Sequence, residues 1–273
     1  MAVLTPQEVL NQLQQGQGLA AAELSYIDLH GQPLDHANFE QAYLRGANLF
    51  NSSCQQTNFT DATLIFANLS QGNFTDAQFA RANLTSADLS QAQWLKAQAM
   101  GAKFHGANLQ GLQATEAQFV EADLEGIQCS KANFRAANFQ KSKLTATNLQ
   151  KVDLSSSYFR EARLIDVQFV DVLATQCNFE KAIFLHSCME NSDFSQAVML
   201  AIKADFLQIV ESSLQEASLY GSSLKKAQFT RVNLNQASLL SADLEGASFQ
   251  DVSLDGTDLQ DANLEYTSWQ EVD

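Results

Sequence analysis

The chain has 273 residues, 31 Asp or Glu against 16 Lys or Arg, and a formal net charge of −15 at pH 7. Such a surface repels phosphate backbones and anionic membranes on average, so we expect no direct binding of nucleic acid or of a membrane. No apolar run approaches the roughly 20 residues of a membrane span. The absence of Lys and Arg before Arg45 argues against a signal peptide, so we expect a cytoplasmic protein.

The N-terminal segment, residues 1–21, is predicted to be a capping helix with a lead-in. Thr5 and Glu8 match a capping box, in which two side chains three residues apart satisfy each other's backbone N–H groups. Apolar residues follow at helical spacing, and Gly16 supplies a stop. This pattern predicts a helix over residues 6–15 that closes the first coil of the segment after it.

Residues 22–273 repeat a five-residue phrase, and we predict that they form a single solenoid domain. Every fifth residue from Leu24 to Trp269 gives 50 positions, of which 24 are Leu and 15 are Phe; two residues earlier, 26 of 50 are Ala. Because alternate residues of a strand point to opposite faces, the small and the large residue point inward and the residue between them points outward. The next two residues turn the chain, which accounts for glycines such as Gly46.

Four such units are predicted to close one coil, so that residues 20 apart stack at the strand spacing of about 4.8 Å. Seven of the 15 phenylalanines at the large position then share one side: Phe39, Phe59, Phe79, Phe119, Phe139, Phe159 and Phe179. A coil of three units gives no comparable column. Opposite charges also recur at 20-residue steps, as in Lys103 and Asp123 and in the series Glu121, Lys141, Glu161 and Lys181.

Two places depart from the repeat. The phenylalanine column is broken at Ala99, where the small position is also Ala, and we expect Trp94 from the preceding unit to fill that space. The triplet Ala204-Asp205-Phe206 repeats the motif two residues out of phase, which predicts a bulge or a register ambiguity there.

This pattern resembles the pentapeptide-repeat family, whose consensus is A-[DN]-[LF]-x-x. The triplets that carry the consensus include Ala47-Asn48-Leu49, Ala87-Asp88-Leu89, Ala107-Asn108-Leu109, Ala122-Asp123-Leu124, Ala242-Asp243-Leu244 and Ala262-Asn263-Leu264. The resemblance covers residues 22–269. It implies an all-β solenoid, a right-handed quadrilateral β-helix of about twelve coils, with the short N-terminal α-helix as its cap. At about 4.8 Å per coil, the expected rod is roughly 60 Å long.

No residue constellation in the sequence indicates catalysis. The four histidines do not stand with a nucleophile and an acid in a recognisable arrangement, and no Cys-x-x-Cys pair is present. The regular repeat also leaves no long loop to hold a site. We therefore expect no enzyme activity, no cofactor and no metal, with the four cysteines as structural thiols: Cys54, Cys129, Cys177 and Cys188.

Two features of the predicted surface are candidates for function. Apolar residues recur at 20-residue steps on the side of the phenylalanine column, and rows of this kind are candidates for partner contact; they are Val198, Leu200, Tyr220 and Leu240. Ile165 and Leu185 form a similar row on the next side. Residues 240–273 contain nine acids and no Lys or Arg. The candidate acidic surface comprises Asp243, Glu245, Asp251, Asp255, Asp258, Asp261 and Glu265.

Several functions are compatible with these features. The first is a non-catalytic, rod-shaped scaffold that binds another protein. The second follows from the resemblance: some pentapeptide-repeat proteins are acidic mimics of DNA that bind DNA gyrase or topoisomerase IV and protect it from quinolones. The nine basic residues between Leu95 and Arg163 count against this alternative, because they interrupt the acidic surface. A β-helix enzyme is a third alternative, and a homodimer through one end of the rod is compatible with any of them.

Overall fold

The computed structural model describes residues 4–273, which form two compact units. Unit 1 comprises residues 4–138 and unit 2 comprises residues 139–273. The assignment of residues 22–273 to a single domain stays a prediction. Within the described range, no helix is long and apolar enough to cross a membrane.

Unit 1 begins with helix α1 (Pro6–Gln14), which confirms the expected helix to within one residue. Its N-terminus is a capping box: the Glu8 backbone N–H donates to Thr5 Oγ1 at 3.3 Å, and the Thr5 N–H donates to the Glu8 carboxylate at 2.8 Å. Val9 is fully buried, and Leu13 lines a crevice with the first-coil residue Leu34. The helix therefore covers the first coil, as a solenoid end requires.

In unit 1, each coil consists of four five-residue units and pairs in parallel with the next. Asn38 pairs with Asn58, and Asn58 pairs with Gln78, so each pair joins equivalent positions of successive coils. The same step is seen in the hydrogen bonds, where the Phe39 N–H donates to the Asn58 carbonyl at 2.7 Å. The four-unit coil is thereby confirmed. We number its four walls by their first large residues, so that walls 1 to 4 begin at Leu24, Leu29, Leu34 and Phe39.

Unit 2 keeps the same step, and nine stretches of it are extended enough to count as strands. Wall 2 carries a seven-stranded parallel sheet in the order β1-β3-β5-β6-β7-β8-β9, and wall 1 carries the pair β2-β4. The strands are β1 (Asn148–Gln150), β2 (Arg163–Ile165), β3 (Gln168–Val170), β4 (Ile183–Leu185), β5 (Cys188–Glu190), β6 (Gln208–Val210), β7 (Gln228–Thr230), β8 (Ser248–Val252) and β9 (Ser268–Val272).

The core of each unit is built from the inward residues, and aromatic rings stack along wall 4. In unit 1 the Phe59 ring centroid lies 5.3 Å from that of Phe39 and 4.9 Å from that of Phe79. At the gap left by Ala99, the Trp94 ring stacks 4.4 Å from Phe79, which confirms that Trp94 fills the space. Within unit 2 three phenylalanines of wall 4 stack in the same way, with centroids 4.7 and 5.0 Å apart: Phe139, Phe159 and Phe179.

The corners between the walls are tight turns with one residue in the left-handed region. In the first of them the Ile27 N–H donates to the Leu24 carbonyl at 3.2 Å and Tyr26 has φ of +59°, as at the third residue of a type II turn. Every fifth residue from Ala21 to Glu271 has positive φ, and 42 of these residues are not glycine. None of them is Val, Ile or Thr, because a β-branched side chain is strained in that region.

This rule predicts opposite effects for two substitutions at the exposed Ala201, whose φ is +51°. Ala201→Val should destabilise the protein by about 1–3 kcal/mol, because the branched side chain is strained at positive φ. Ala201→Gly should be stabilising by about 0.5 kcal/mol, since relief of the left-handed strain outweighs the larger entropy of the unfolded chain. Urea denaturation of both variants measures the difference, and equal stabilities would contradict the turn geometry.

The prediction of a bulge or a register ambiguity near Ala204 is wrong. Lys203 pairs with Ile183 on one side and with Ser223 on the other, so the 20-residue register passes through this segment unchanged. Phe206 occupies the second turn position with φ of +62° and is 58% exposed. A bulge would have broken the ladder with both neighbouring coils, and keeping those hydrogen bonds outweighs burying one more ring.

Candidate functional site

The outward Asn or Asp of the repeat has a structural role that restricts which acids are free for function. Its side-chain oxygen accepts a hydrogen bond from the backbone N–H two residues later, as from Glu40 to Asn38 at 3.0 Å. Among the candidate acids, Asp243 accepts in this way from the N–H of Glu245 at 3.3 Å. Asp258 accepts from Gln260 at 2.9 Å. These two acids are therefore explained by the fold.

Two acids of the candidate surface share one base from the preceding coil. Lys225 Nζ lies 3.0 Å from Asp243 and 2.7 Å from Glu245. Partial burial alone would raise the pKa of Asp243, but the hydrogen bond and the charge of Lys225 lower it below its ordinary value. This part of the surface carries less net negative charge than its sequence indicates.

The remaining candidate acids do not share one face. Asp251 lies at the corner of walls 2 and 3, Asp255 on wall 3, Asp258 on wall 4, Asp261 at the corner of walls 4 and 1, and Glu265 on wall 1. Asp251 also hydrogen-bonds to Glu271, a contact between two carboxyl groups that raises the pKa of Glu271. The acids thus surround the last coils of unit 2 instead of forming a flat anionic patch.

The candidate apolar row is continuous on wall 4 of unit 2, and we call Val198, Leu200, Tyr220 and Leu240 the wall 4 strip. Adjacent coils are joined directly beside it: the Ala201 N–H donates to the Tyr220 carbonyl at 2.9 Å. Tyr220 is 50% exposed, and the other three side chains are half-buried. The structure therefore places these four residues together on a solvated wall.

The second apolar row, on wall 1, is also contiguous. Ile165 of β2 and Leu185 of β4 are direct cross-strand partners. Leu185 is 38% exposed and Ile165 is half-buried. Two apolar residues give a smaller surface than the wall 4 strip.

The sequence interpretation missed an exposed aromatic cluster on unit 1. The Arg45 guanidinium lies 4.9 Å from the centroid of the Phe66 ring, and its Nε donates to the Tyr26 hydroxyl at 3.4 Å. Tyr26 is 72% and Phe66 is 56% exposed. Each aromatic is the second of the two turn residues in its five-residue unit, and the two lie two coils apart in sequence. This spacing could have identified the cluster from the sequence.

The thiols offer no nucleophilic or metal site within the described part of the chain. Burial raises the pKa of Cys54 and of Cys129 to about 12, and that of Cys177 to about 11. Cys188 is half-buried on wall 2, and burial raises its pKa as well. Across residues 4–273, no three His, Cys, Asp or Glu side chains come close enough together to hold a metal ion.

Comparison with known structures gives likenesses at low sequence identity. The chain is 22% identical to HetL of Nostoc sp. strain PCC 7120, a pentapeptide repeat protein involved in regulating heterocyst differentiation, over 97% of this chain and 96% of that one, with a TM-score of 0.32. It is 17% identical to the fluoroquinolone resistance protein QnrB1 over 86% and 88% of the two chains, with a TM-score of 0.29. A pentapeptide repeat protein of the Arabidopsis thaliana thylakoid lumen is 24% identical over 52% and 68%, with a TM-score of 0.15.

No curated protein sequence matches the chain. The family model for pentapeptide repeats matches in eight copies that together span most of residues 22–265. The copies cover 22–53, 37–76, 77–111, 115–150, 137–173, 157–196, 212–251 and 227–265. These segments make up well over half of the chain and include parts of both units. The chain therefore belongs to the pentapeptide repeat family.

Proposed function

We propose that this protein is a non-catalytic, cytoplasmic scaffold that binds another protein through the wall 4 strip. The observation that carries the proposal is the continuity of that strip, which exposes apolar side chains on three consecutive coils. Solvated rows of this kind favour association, since covering them removes apolar surface from water. Tyr220 supplies an amphipathic anchor of the type that commonly dominates interface energies.

The surroundings of the strip support the same proposal. An ion pair borders the wall 4 strip on the side of the two preceding coils, where Arg160 Nη2 lies 3.7 Å from the Glu180 carboxylate. The Lys181 N–H donates to the Leu200 carbonyl at 2.8 Å, so these charges lie next to the strip. Gln260 continues the same column on the other side of Leu240. An apolar centre with a polar rim is the usual composition of a protein interface.

The double variant Leu200→Asp/Leu240→Asp tests this proposal. Both side chains are on the outside of the coil, so we expect unchanged thermal stability and at least a tenfold weaker capture of the partner that the wild type retains from a lysate of the native host. Ile165→Asp, a half-buried apolar side chain on wall 1, is the matched control and should leave capture unchanged. Equal capture by the double variant would refute the proposal, and so would a collapse of its stability.

An acidic mimic of DNA that binds DNA gyrase or topoisomerase IV is the second candidate. It is supported by five acids around the last coils that take part in no ion pair within residues 4–273: Asp251, Asp255, Asp258, Asp261 and Glu265. It is weakened by Lys225, which offsets two of the other acids. A supercoiling assay with micromolar protein separates the candidates, since a scaffold that uses the wall 4 strip should affect neither supercoiling nor quinolone-stabilised cleavage.

Self-association through one end of the coil is a further alternative to a different protein partner. The last coil leaves inward residues partly exposed, with Leu264 at 38% and Trp269 at 41%. Sedimentation equilibrium over a range of protein concentrations measures it directly. If a dimer forms and Trp269→Ser prevents it, this end is the interface; a monomer at every concentration removes the alternative.

A further inference from the structure

The sheet on wall 2 of unit 2 has an outward face that carries little charge. Each of its seven strands has two residues on this outward face, on either side of the inward large residue. Glu190 is the one charged residue among these fourteen. The side-chain amides of six exposed glutamines on this face make no protein hydrogen bond within the described residues: Gln150, Gln168, Gln208, Gln228, Gln250 and Gln270. Two pairs of these amides belong to adjacent coils, Gln208 with Gln228 and Gln250 with Gln270.

These glutamines are not explained by the repeat. The Asn that usually holds the outward position accepts a hydrogen bond from its own turn, as Asn73 does from Thr75 at 3.0 Å. Three of the glutamines make no such bond in the described structure: Gln168, Gln208 and Gln228. Each is instead the first residue of a strand, and the two residues after it continue that strand. The amide groups point outward into solvent and make no hydrogen bond to other protein groups in the described structure.

A groove opens on this face where one side chain is short. Cys188 lies in register between Gln168 and Gln208, so the half-buried thiol forms the floor between two longer amides. The groove has a volume of about 470 Å³ and also includes Asp166, His186 and Phe206 in its lining. That volume is within the usual range of about 300–1,000 Å³ for small-molecule sites.

The side of the groove is formed by second turn residues at the corner of walls 1 and 2. His186 Nδ1 lies 3.4 Å from the Asp166 carboxylate, and both side chains are exposed. One coil further, Phe206 is 58% exposed, and Lys226 Nζ lies 5.5 Å from its ring centroid. The groove therefore combines an exposed aromatic ring, two amides that no other protein group engages, and a neighbouring imidazole and carboxylate.

We propose that this groove and the exposed glutamines beside it bind a neutral, linear oligosaccharide. An aromatic ring packs against the C–H face of a sugar ring, while amide and carboxylate groups pair with adjacent hydroxyls, which both donate and accept hydrogen bonds. A ligand without charge fits a face with a single charged residue on a protein of net charge −15. This site lies on a different wall from the wall 4 strip, so the two proposals stand independently.

The dimensions of the face favour a narrow polymer over a globular partner. Seven strands at about 4.8 Å spacing give a length of roughly 29 Å, and the two outward columns are only about 7 Å apart.

Affinity electrophoresis in native gels containing hydroxyethylcellulose, glucomannan, arabinoxylan or dextran tests for binding. We expect at least one of these neutral polymers to retard the wild-type protein, and isothermal titration with the matching hexasaccharide to give a saturable signal. The same hexasaccharide should slow alkylation of Cys188, read by peptide mass mapping, because the thiol is the floor of the groove. Retardation by none of the four polymers would overturn the proposal.

Two variants locate the site. Phe206→Ala and Gln168→Ala/Gln208→Ala should each weaken binding of the hexasaccharide at least tenfold without changing the circular dichroism spectrum. Phe66→Ala is the matched control, since Phe66 is an exposed aromatic at the same turn position in unit 1 with its own cation–π partner, and it should bind like the wild type. Unchanged binding by Phe206→Ala, or tighter binding of an extended peptide than of any polysaccharide, would refute the assignment.

Discussion

Phe59→Asp is expected to unfold the coils of unit 1 around it. The Phe59 side chain is fully buried between two stacked rings, with centroids at 5.3 Å to Phe39 and 4.9 Å to Phe79. Removing such a ring costs about 3–5 kcal/mol from the cavity and the lost burial alone. An unpaired carboxylate in the same place adds a desolvation cost of several kcal/mol more. Total stabilities of natural domains are roughly 5–15 kcal/mol, so folding around this position should be lost.

Circular dichroism and urea denaturation measure this effect, and two variants calibrate it. Phe59→Leu keeps most of the apolar volume, and Leu is the commonest residue at the large position, so we expect a loss of only about 1–2 kcal/mol. Phe66→Ala removes an exposed ring and should cost less than about 1 kcal/mol. A Phe59→Asp protein as stable as the Phe66→Ala protein would mean that the phenylalanine column does not face the core.

Trp94→Ala is expected to destabilise unit 1 by about 3–5 kcal/mol, because Trp94 fills the gap in the column. Its ring stacks 4.4 Å from Phe79 and 6.3 Å from Phe119, and it lies 5.8 Å from Phe104. The indole Nε1–H is buried without a hydrogen-bond partner in the described structure. An unpaired donor of this kind costs about 1–3 kcal/mol, so Trp94→Phe should be much milder than Trp94→Ala.

The register of the column gives this prediction a rescue experiment. Ala99 is fully buried at the large position of wall 4, where the neighbouring coils have Phe79 and Phe119. The double variant Trp94→Leu/Ala99→Phe restores the regular pattern and should recover at least half of the stability lost in Trp94→Leu, as measured by urea denaturation. If Ala99→Phe instead destabilises the Trp94→Leu protein further, Ala99 is not in the phenylalanine column.

The periodic inward residues made most of the fold predictable from the sequence. A fixed step of five residues leaves a strand only one way to bury its Leu and Phe, and the concentration of phenylalanines at 20-residue steps selects four walls. The replacement of a missing Phe by Trp94 was also predictable, because core volume at neighbouring positions is conserved. These inferences depend on packing, which the order of the residues expresses directly.

Features that depend on hydrogen bonding and on solvated side chains were harder to predict. The series of alternating charges at the corner of walls 4 and 1 does not pair as a simple column: Lys181 Nζ lies 3.4 Å from Glu180, and Arg160 contacts both Glu161 and Glu180. The out-of-phase triplet around Phe206 was misinterpreted, because backbone pairing with two neighbouring coils outweighs one apolar side chain. The left-handed turns could have been recognised from the sequence, because Val, Ile and Thr are absent from the second of the two turn residues in each five-residue unit. The glycines alone did not indicate this.

The candidate site was only partly predictable for the same reason. The wall 4 strip followed from spacing, since Leu200, Tyr220 and Leu240 hold the same position in three successive coils. The spread of the acids over several walls was not evident from their spacing, because each acid's position within the five-residue unit decides which wall it lies on. The pairing of Lys225 with two of them was not evident either. The groove beside Cys188 depends on a short side chain between two long ones, and this arrangement is visible only after the sequence is wound into four-walled coils.

The most direct test of this description is a nuclear Overhauser measurement of backbone contacts in the protein labelled with ²H, ¹³C and ¹⁵N. Equivalent residues of successive coils are direct partners here, so Asn58 should show backbone contacts to both Asn38 and Gln78. The same step should recur in unit 2, where Leu149 pairs with Phe169. Backbone contacts at the step of a three-walled or a five-walled coil, or none between successive coils, would contradict the four-walled coil on which every proposal here depends.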